Sequence, residues 1–108
     1  MIELHTIPVA DCQNLNAVGC VHRVARTTLT SILGEAHYVE TDSRATFGGE
    51  EDWWAFRLPS GHAMAICLRV PYEDVVLYSE IQDLAEIMAV LPDFARGADL
   101  EVYDSALR

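Results

Sequence analysis

The apolar positions along this chain follow two rhythms. Between residues 14 and 33, Leu15, Val18, His22, Ala25, Leu29, Ile32 and Leu33 recur at intervals of three and four. Arg23, Arg26, Thr27 and Thr30 fall on the other side. That period predicts an amphipathic helix over residues 14–33, and Gly34 stands where a helix terminator belongs. Gly19 and the threonines work against it, because each lowers helix propensity. Beyond residue 36 the rhythm shortens. Strands are predicted over residues 36–42, 53–58, 62–70 and 74–78, with a loop over 43–52 and a tight turn at Pro59, Ser60 and Gly61. In the third of these strands Met64, Ile66, Leu68 and Val70 share one face. Ala63, Ala65, Cys67 and Arg69 share the other, as in a central strand with a covered side. A second helix is predicted after Ser79, which with Gln82 has the spacing of a capping box. Ile81, Leu84, Ala85, Met88 and Leu91 form its apolar stripe, Asp83 and Glu86 face solvent, and Pro92 stops it. Residues 99–103 alternate like a last strand, with Leu100 and Val102 inward.

The predicted order is α-β-β-β-β-α-β. Consecutive strands on short links pair antiparallel. The expected fold is therefore α+β: a two-layer sandwich with an antiparallel sheet of about five strands and two helices on one face. A curled, half-open barrel plugged by the first helix is the alternative. At 108 residues, 51% hydrophobic and 22% charged, the chain has the size and make-up of one globular domain over residues 1–108. It needs no disulfide framework or structural metal to fold.

Charge narrows the functional classes. Seven arginines, no lysine and 17 acids give a formal net charge of -10. A nucleic-acid-binding role is excluded in practice, because phosphate contacts need a basic surface. The absence of lysine removes Schiff-base and P-loop chemistry. It also hints at a GC-rich, bacterial genome. Residues 1–34 are neutral, residues 35–72 carry -3 and residues 73–108 carry -7. Such an uneven field speeds encounter with a cationic partner. A DNA mimic would spread its acids over most of the surface, and here the first third is neutral.

Cys12, Cys20 and Cys67 are odd in number and scattered, which points to free thiols and a reducing compartment. The N-terminus has no basic region followed by an apolar run, and no apolar stretch reaches membrane-spanning length. A cytoplasmic protein is expected. Cys12, Cys20, His22 and His5 match no compact zinc module. Asp42, Glu50, Glu51 and Asp52 lack EF-hand spacing. Ser60-Gly61-His62 has no nucleophile elbow around it and reads as a hairpin turn. No metal, cofactor or catalytic residue is assigned, and the chain leans away from an enzyme.

The most unusual stretch is Phe47-Gly48-Gly49-Glu50-Glu51-Asp52-Trp53-Trp54. Its acids stand beside an aromatic anchor, the pairing expected of an interface hot spot. One tryptophan is expected in the core and the other outward. Glu50, Glu51, Asp52 and Trp53, with Glu73 and Asp74 near the following turn, are the expected partner-binding residues. Arg57 and Arg69 could approach each other across the Pro59–Gly61 hairpin. With His37 and His62 they would line a pocket between sheet and helices.

In size, acidity and α+β pattern the whole chain is similar to the small cytoplasmic immunity proteins of bacterial polymorphic toxins and secretion-system effectors. The likeness is one of format, and no site residue carries over with it. It implies a non-catalytic module that neutralises a basic toxin or effector through an acidic surface. The alternative is a small-molecule binder or minor enzyme. Exposed strand edges at 36–42 or 99–103 leave a homodimer open in either case.

Overall fold

The computed structural model describes residues 5–43, 49–79, 84–90 and 99–102. Among these residues seven strands form one sheet: β1 (His5–Thr6), β2 (Asn16–His22), β3 (Tyr38–Ser43), β4 (Gly49–Arg57), β5 (Ala63–Arg69), β6 (Asp74–Ser79) and β7 (Asp99–Val102). Helix α1 (Arg26–Leu33) follows β2, and α2 (Leu84–Val90) follows β6. Every pairing is antiparallel, in the order β1-β4-β5-β6-β2-β7, with β3 also on β4. β3 and β1 share one edge of β4: β3 pairs residues 49–53 and β1 pairs residues 56–57. The sheet is therefore six strands wide.

Period-two alternation sorts the side chains onto two faces. One face packs Trp54, Phe56, Met64, Ile66, Leu68, Val75 and Leu77 against Leu29, Ile32 and Leu33 of α1 and Ile87 and Met88 of α2. Both helices thus cover the same face of an antiparallel sheet, the expected α+β arrangement. Each large apolar side chain sequestered there contributes about 1.5–3 kcal/mol. The other face carries Ala55, Ala63 and Ala65 in its middle. Small side chains let the segment bearing Ile7, Val9, Cys12 and Leu15 lie close against the sheet. Within it, Val9–Cys12 forms a turn of 3-10 helix, and the Cys12 thiol donates to the Met64 carbonyl at 3.6 Å.

The first predicted helix needs correction, because residues 16–22 are strand β2 and only residues 26–33 are helical. β2 lies between β6 and β7, and residues 18–21 are buried on both sides. Its register shifts between Ala17 and Gly19 while pairing with Tyr78 and Leu77. The extra residue re-phases the strand. Val18 and Val21, three apart, therefore both reach the helix-covered core. That spacing imitates a helical turn. The loop predicted over 43–52 also needs correction, since β4 begins at Gly49 and takes in all three acids. Ser79 ends β6, and its hydroxyl donates to the Ala63 carbonyl at 3.3 Å. Among the described side chains of α2, Ile87 is buried, Ala85 is exposed and Glu86 accepts the Ser60 N–H at 2.9 Å. The predicted positions Phe47, Gly48, Ile81, Gln82, Asp83, Leu91 and Pro92 lie outside the described residues, as do the side chains of Leu84, Leu100 and Val102.

Candidate functional site

The face opposite α1 and α2 is organised in rows that cross strands about 4.8 Å apart. One row is polar: Glu40 on β3, Glu51 on β4, Arg69 on β5 and Asp74 on β6. The next runs from Tyr38 through Trp53, Cys67 and Val76 to Cys20 and Glu101.

A cleft of about 550 Å3 opens on this face. Tyr38, Glu40, Glu51, Trp53 and Tyr78 rise from the sheet along it, and Val9, Ala10, Cys12, Gln13 and Leu15 close its other side. Trp53 and Tyr78 stack with ring centroids 5.4 Å apart and planes tilted by 31°. The Tyr38 hydroxyl donates to Glu40 at 2.9 Å, and that bond, with the charge of Glu40, raises the phenol's pKa. Glu51 is only 9% exposed. Burial pushes the neighbouring Cys67 thiol up, and the charge and hydrogen bonding of Glu51 push it further. The thiol therefore stays protonated. Among the described residues, the lining holds two carboxylates and no cation.

Strand alternation divides the expected partner-binding acids. Glu51 and Trp53 face the cleft. Glu50 and Asp52 point the other way, toward α1, where Arg26 holds both. Its Nε and Nη2 donate to Asp52 at 2.6 and 2.9 Å, and Nη2 also donates to Glu50. Asp52 is 3% exposed, so this is a bidentate pair to a sequestered carboxylate. Asp74 is gripped by Arg69 through Nε and Nη2 at 2.6 and 2.8 Å, and the guanidinium lies 5.8 Å from the centre of the Tyr72 ring. Glu73 is exposed at a turn, in a left-handed conformation with φ 51°. Its carbonyl accepts the Val24 N–H at 2.7 Å. Asp42, Glu50, Glu51 and Asp52 do not converge as a calcium cage would require.

The second expected set, His37, His62, Arg57 and Arg69, is not brought together. Arg57 pairs with Ala63 and Arg69 with Glu51, at opposite ends of the β4–β5 ladder. Six residues of strand separate the two arginines, about 20 Å. A hairpin juxtaposes residues equidistant from its turn, and these two are not. Arg57 donates to the Gly61 carbonyl of its own hairpin at 2.8 Å. His62 is exposed at that turn. His37 sits at the edge of β4 between the stretches paired by β3 and β1. Its Nδ1 accepts the Ala55 N–H at 3.0 Å, and its ring meets Phe56 edge-on at 5.1 Å. Desolvation lowers its pKa below the ordinary value.

Cys12, Cys20 and Cys67 are free and buried. Cys12 packs under the 3-10 turn, and His5 pairs with Arg57 at the far edge, so neither joins Cys20 and His22. Those two share a face of β2, with Sγ 3.9 Å from Nδ1, and Asp74 completes a cluster whose ligand atoms lie within 4.8 Å of one another. Sequence spacing missed this trio, because its third member belongs to β6. Among the described residues, no helix is long and apolar enough to cross a membrane. No known protein family matches the chain, and neither a curated protein nor a solved structure is significantly similar to it.

Proposed function

We propose that this chain is a non-catalytic binding module that takes a cationic group of a partner protein into the cleft on its helix-free face. The observation that carries the proposal is Trp53 stacked on Tyr78 beside the carboxylates of Glu51 and Glu40. Aromatic faces attract ammonium and guanidinium groups through their quadrupoles, worth about 0.5–2 kcal/mol per contact depending on desolvation. The carboxylates add charge complementarity where water is partly excluded. The net charge of -10 steers a basic surface toward the chain. Neutralisation of a basic toxin or effector is the biological form that such a module takes. A second use of the cleft is capture of a free organic cation, favoured by a volume inside the ~300–1,000 Å3 range of small-molecule sites.

Titration with an arginine- and lysine-rich peptide, followed by indole fluorescence, tests the proposal. Saturable binding that weakens with salt is expected, because screening acts on exposed charge pairs. Trp53→Ala or Glu51→Gln should weaken it by roughly tenfold. Glu40→Gln, at a more exposed position, guards against a folding artefact and should weaken it less. Affinity unchanged by Trp53→Ala, or indifferent to salt, overturns the proposal. Tetramethylammonium binding as tightly as the peptide would favour the free cation.

A further inference from the structure

We propose that Cys20, His22 and Asp74 form a zinc site at the end of the helix-free face away from the cleft. The three donor atoms lie within 4.8 Å of one another, and Cys20 Sγ stands 3.9 Å from His22 Nδ1. Around a tetrahedral zinc, sulfur and nitrogen ligands are about 3.6 Å apart, from bond lengths of about 2.3 and 2.0–2.1 Å. The trio is close to that size, and rotation of the half-buried His22 side chain closes the remainder. The donor set of thiolate, imidazole and carboxylate suits zinc over calcium or magnesium, which prefer oxygen alone.

The surroundings are those of a metal-binding histidine. His22 Nε2 lies 3.0 Å from the Glu101 carboxylate. With its proton on Nε2 and donated to Glu101, the ring presents the Nδ1 lone pair toward Cys20. A carboxylate in that position orients a ligating imidazole. The sheet builds this geometry from three strands. Cys20 and His22 are two apart on β2, Glu101 is across from Cys20 on β7, and Asp74 lies one step beyond the Val21–Val75 pair on β6. The charges also balance. A zinc ion with the nearby Arg69 guanidinium would face the Cys20 thiolate, Asp74 and Glu101. Arg69 occupies one lone pair on each Asp74 oxygen and leaves the others for a metal.

A nucleophilic Cys20–His22 pair fits less well. Cys20 is almost completely buried, and burial together with the charges of Asp74 and Glu101 raises its pKa, the opposite of what a reactive thiol needs. A metal resolves that conflict by displacing the thiol proton.

Titration of the full chain with Co2+ in a reducing buffer, followed by competition with Zn2+, tests the site. One Co2+ per chain is expected, with a thiolate-to-cobalt charge-transfer band in the near ultraviolet that Zn2+ removes. Cys20→Ser should abolish the band and Cys12→Ala should leave it. His22→Gln keeps the assay interpretable if the buried cysteine variant fails to fold, and should weaken binding at least tenfold. Glu101→Gln should weaken it by roughly 10- to 100-fold. Binding that survives His22→Gln unchanged, a band that persists in Cys20→Ser, or no saturable uptake at micromolar metal would overturn the proposal.

Discussion

Trp53 and Trp54 are adjacent in the chain and belong to different halves of the molecule. Trp54 is fully buried on the helix-covered face, and its indole N–H donates to the Gly34 carbonyl just beyond α1 at 3.0 Å. Trp53 is half-buried on the opposite face, against Tyr78 in the cleft. The same strands supply both faces, one mainly apolar and packed against α1 and α2, the other bearing carboxylates, thiols and arginines in rows. The contrast separates what holds the fold from what is left for recognition. The first face has buried its hydrophobic surface against two helices. Among the described residues the second is covered in part, by the segment around the 3-10 turn, and the cleft opens beside it.

The largest test of that contrast is a pair of truncations. Trp54→Ala should cost about 3–5 kcal/mol of stability by denaturant unfolding. Trp53→Ala should cost about 1 kcal/mol, since only part of its surface is removed from water. Equal costs would erase the distinction between the faces.

Next in size is the bridge from α1 to β4. Arg26→Met leaves the sequestered Asp52 carboxylate without its bidentate donor and should cost about 2–3 kcal/mol. The figure stands below that of a fully buried pair because Arg26 is itself half-exposed. Adding Asp52→Leu should recover part of the loss, and no recovery would mean that Arg26 acts through something other than this pair.

A smaller change touches neither face. Gly61 adopts φ +97° in the β4–β5 turn, and a methyl group there would meet nothing within 4 Å. Gly61→Ala should therefore cost about 1–2 kcal/mol through backbone conformation alone. Cation binding in the cleft should be preserved, and its loss would show that the hairpin controls the distant cleft.

The smallest effect is a pH dependence at the strand edge. The folded pKa of His37 is lowered from 6.5 by desolvation, and Nδ1 is occupied by the Ala55 N–H. Between the folded and unfolded values the unfolded chain binds more protons. Stability contributed by neutral His37 is thus present above 6.5 and declines as pH falls through that value toward the folded one. Unfolding midpoints compared at about pH 7.5 and about pH 5.5 should show this decline, and His37→Gln should flatten it. A variant that keeps the full slope would assign it to other groups.

Much of the architecture was legible in the chain. Alternation in residues 63–69 correctly separated Met64, Ile66 and Leu68 from Ala63, Ala65 and Cys67, because a strand side chain has only two directions to choose from. Gly34 marked the end of α1, where it takes φ 81°. The failure in residues 14–25 has a specific cause. A β-bulge and burial on both sides replaced alternation with a run whose core residues sit three apart, which hydrophobic spacing alone does not distinguish from a helix. The candidate site was half legible. Trp53 and Glu51 were identifiable as an aromatic beside an acid, whereas Tyr38, Glu40 and Tyr78 come from other strands and carry no local signal of the association.

Composition and local period by themselves determined the α+β class, the acidic field and the presence of one buried and one outward tryptophan, since these follow from residue identity and near-neighbour spacing. Tertiary structure alone decided which carboxylates meet arginines, which line a cleft, and that Asp74 joins Cys20 and His22. Those outcomes depend on the register between strands distant in sequence. Register is set by the whole core, because a slip of one residue would turn every buried side chain of a strand toward water.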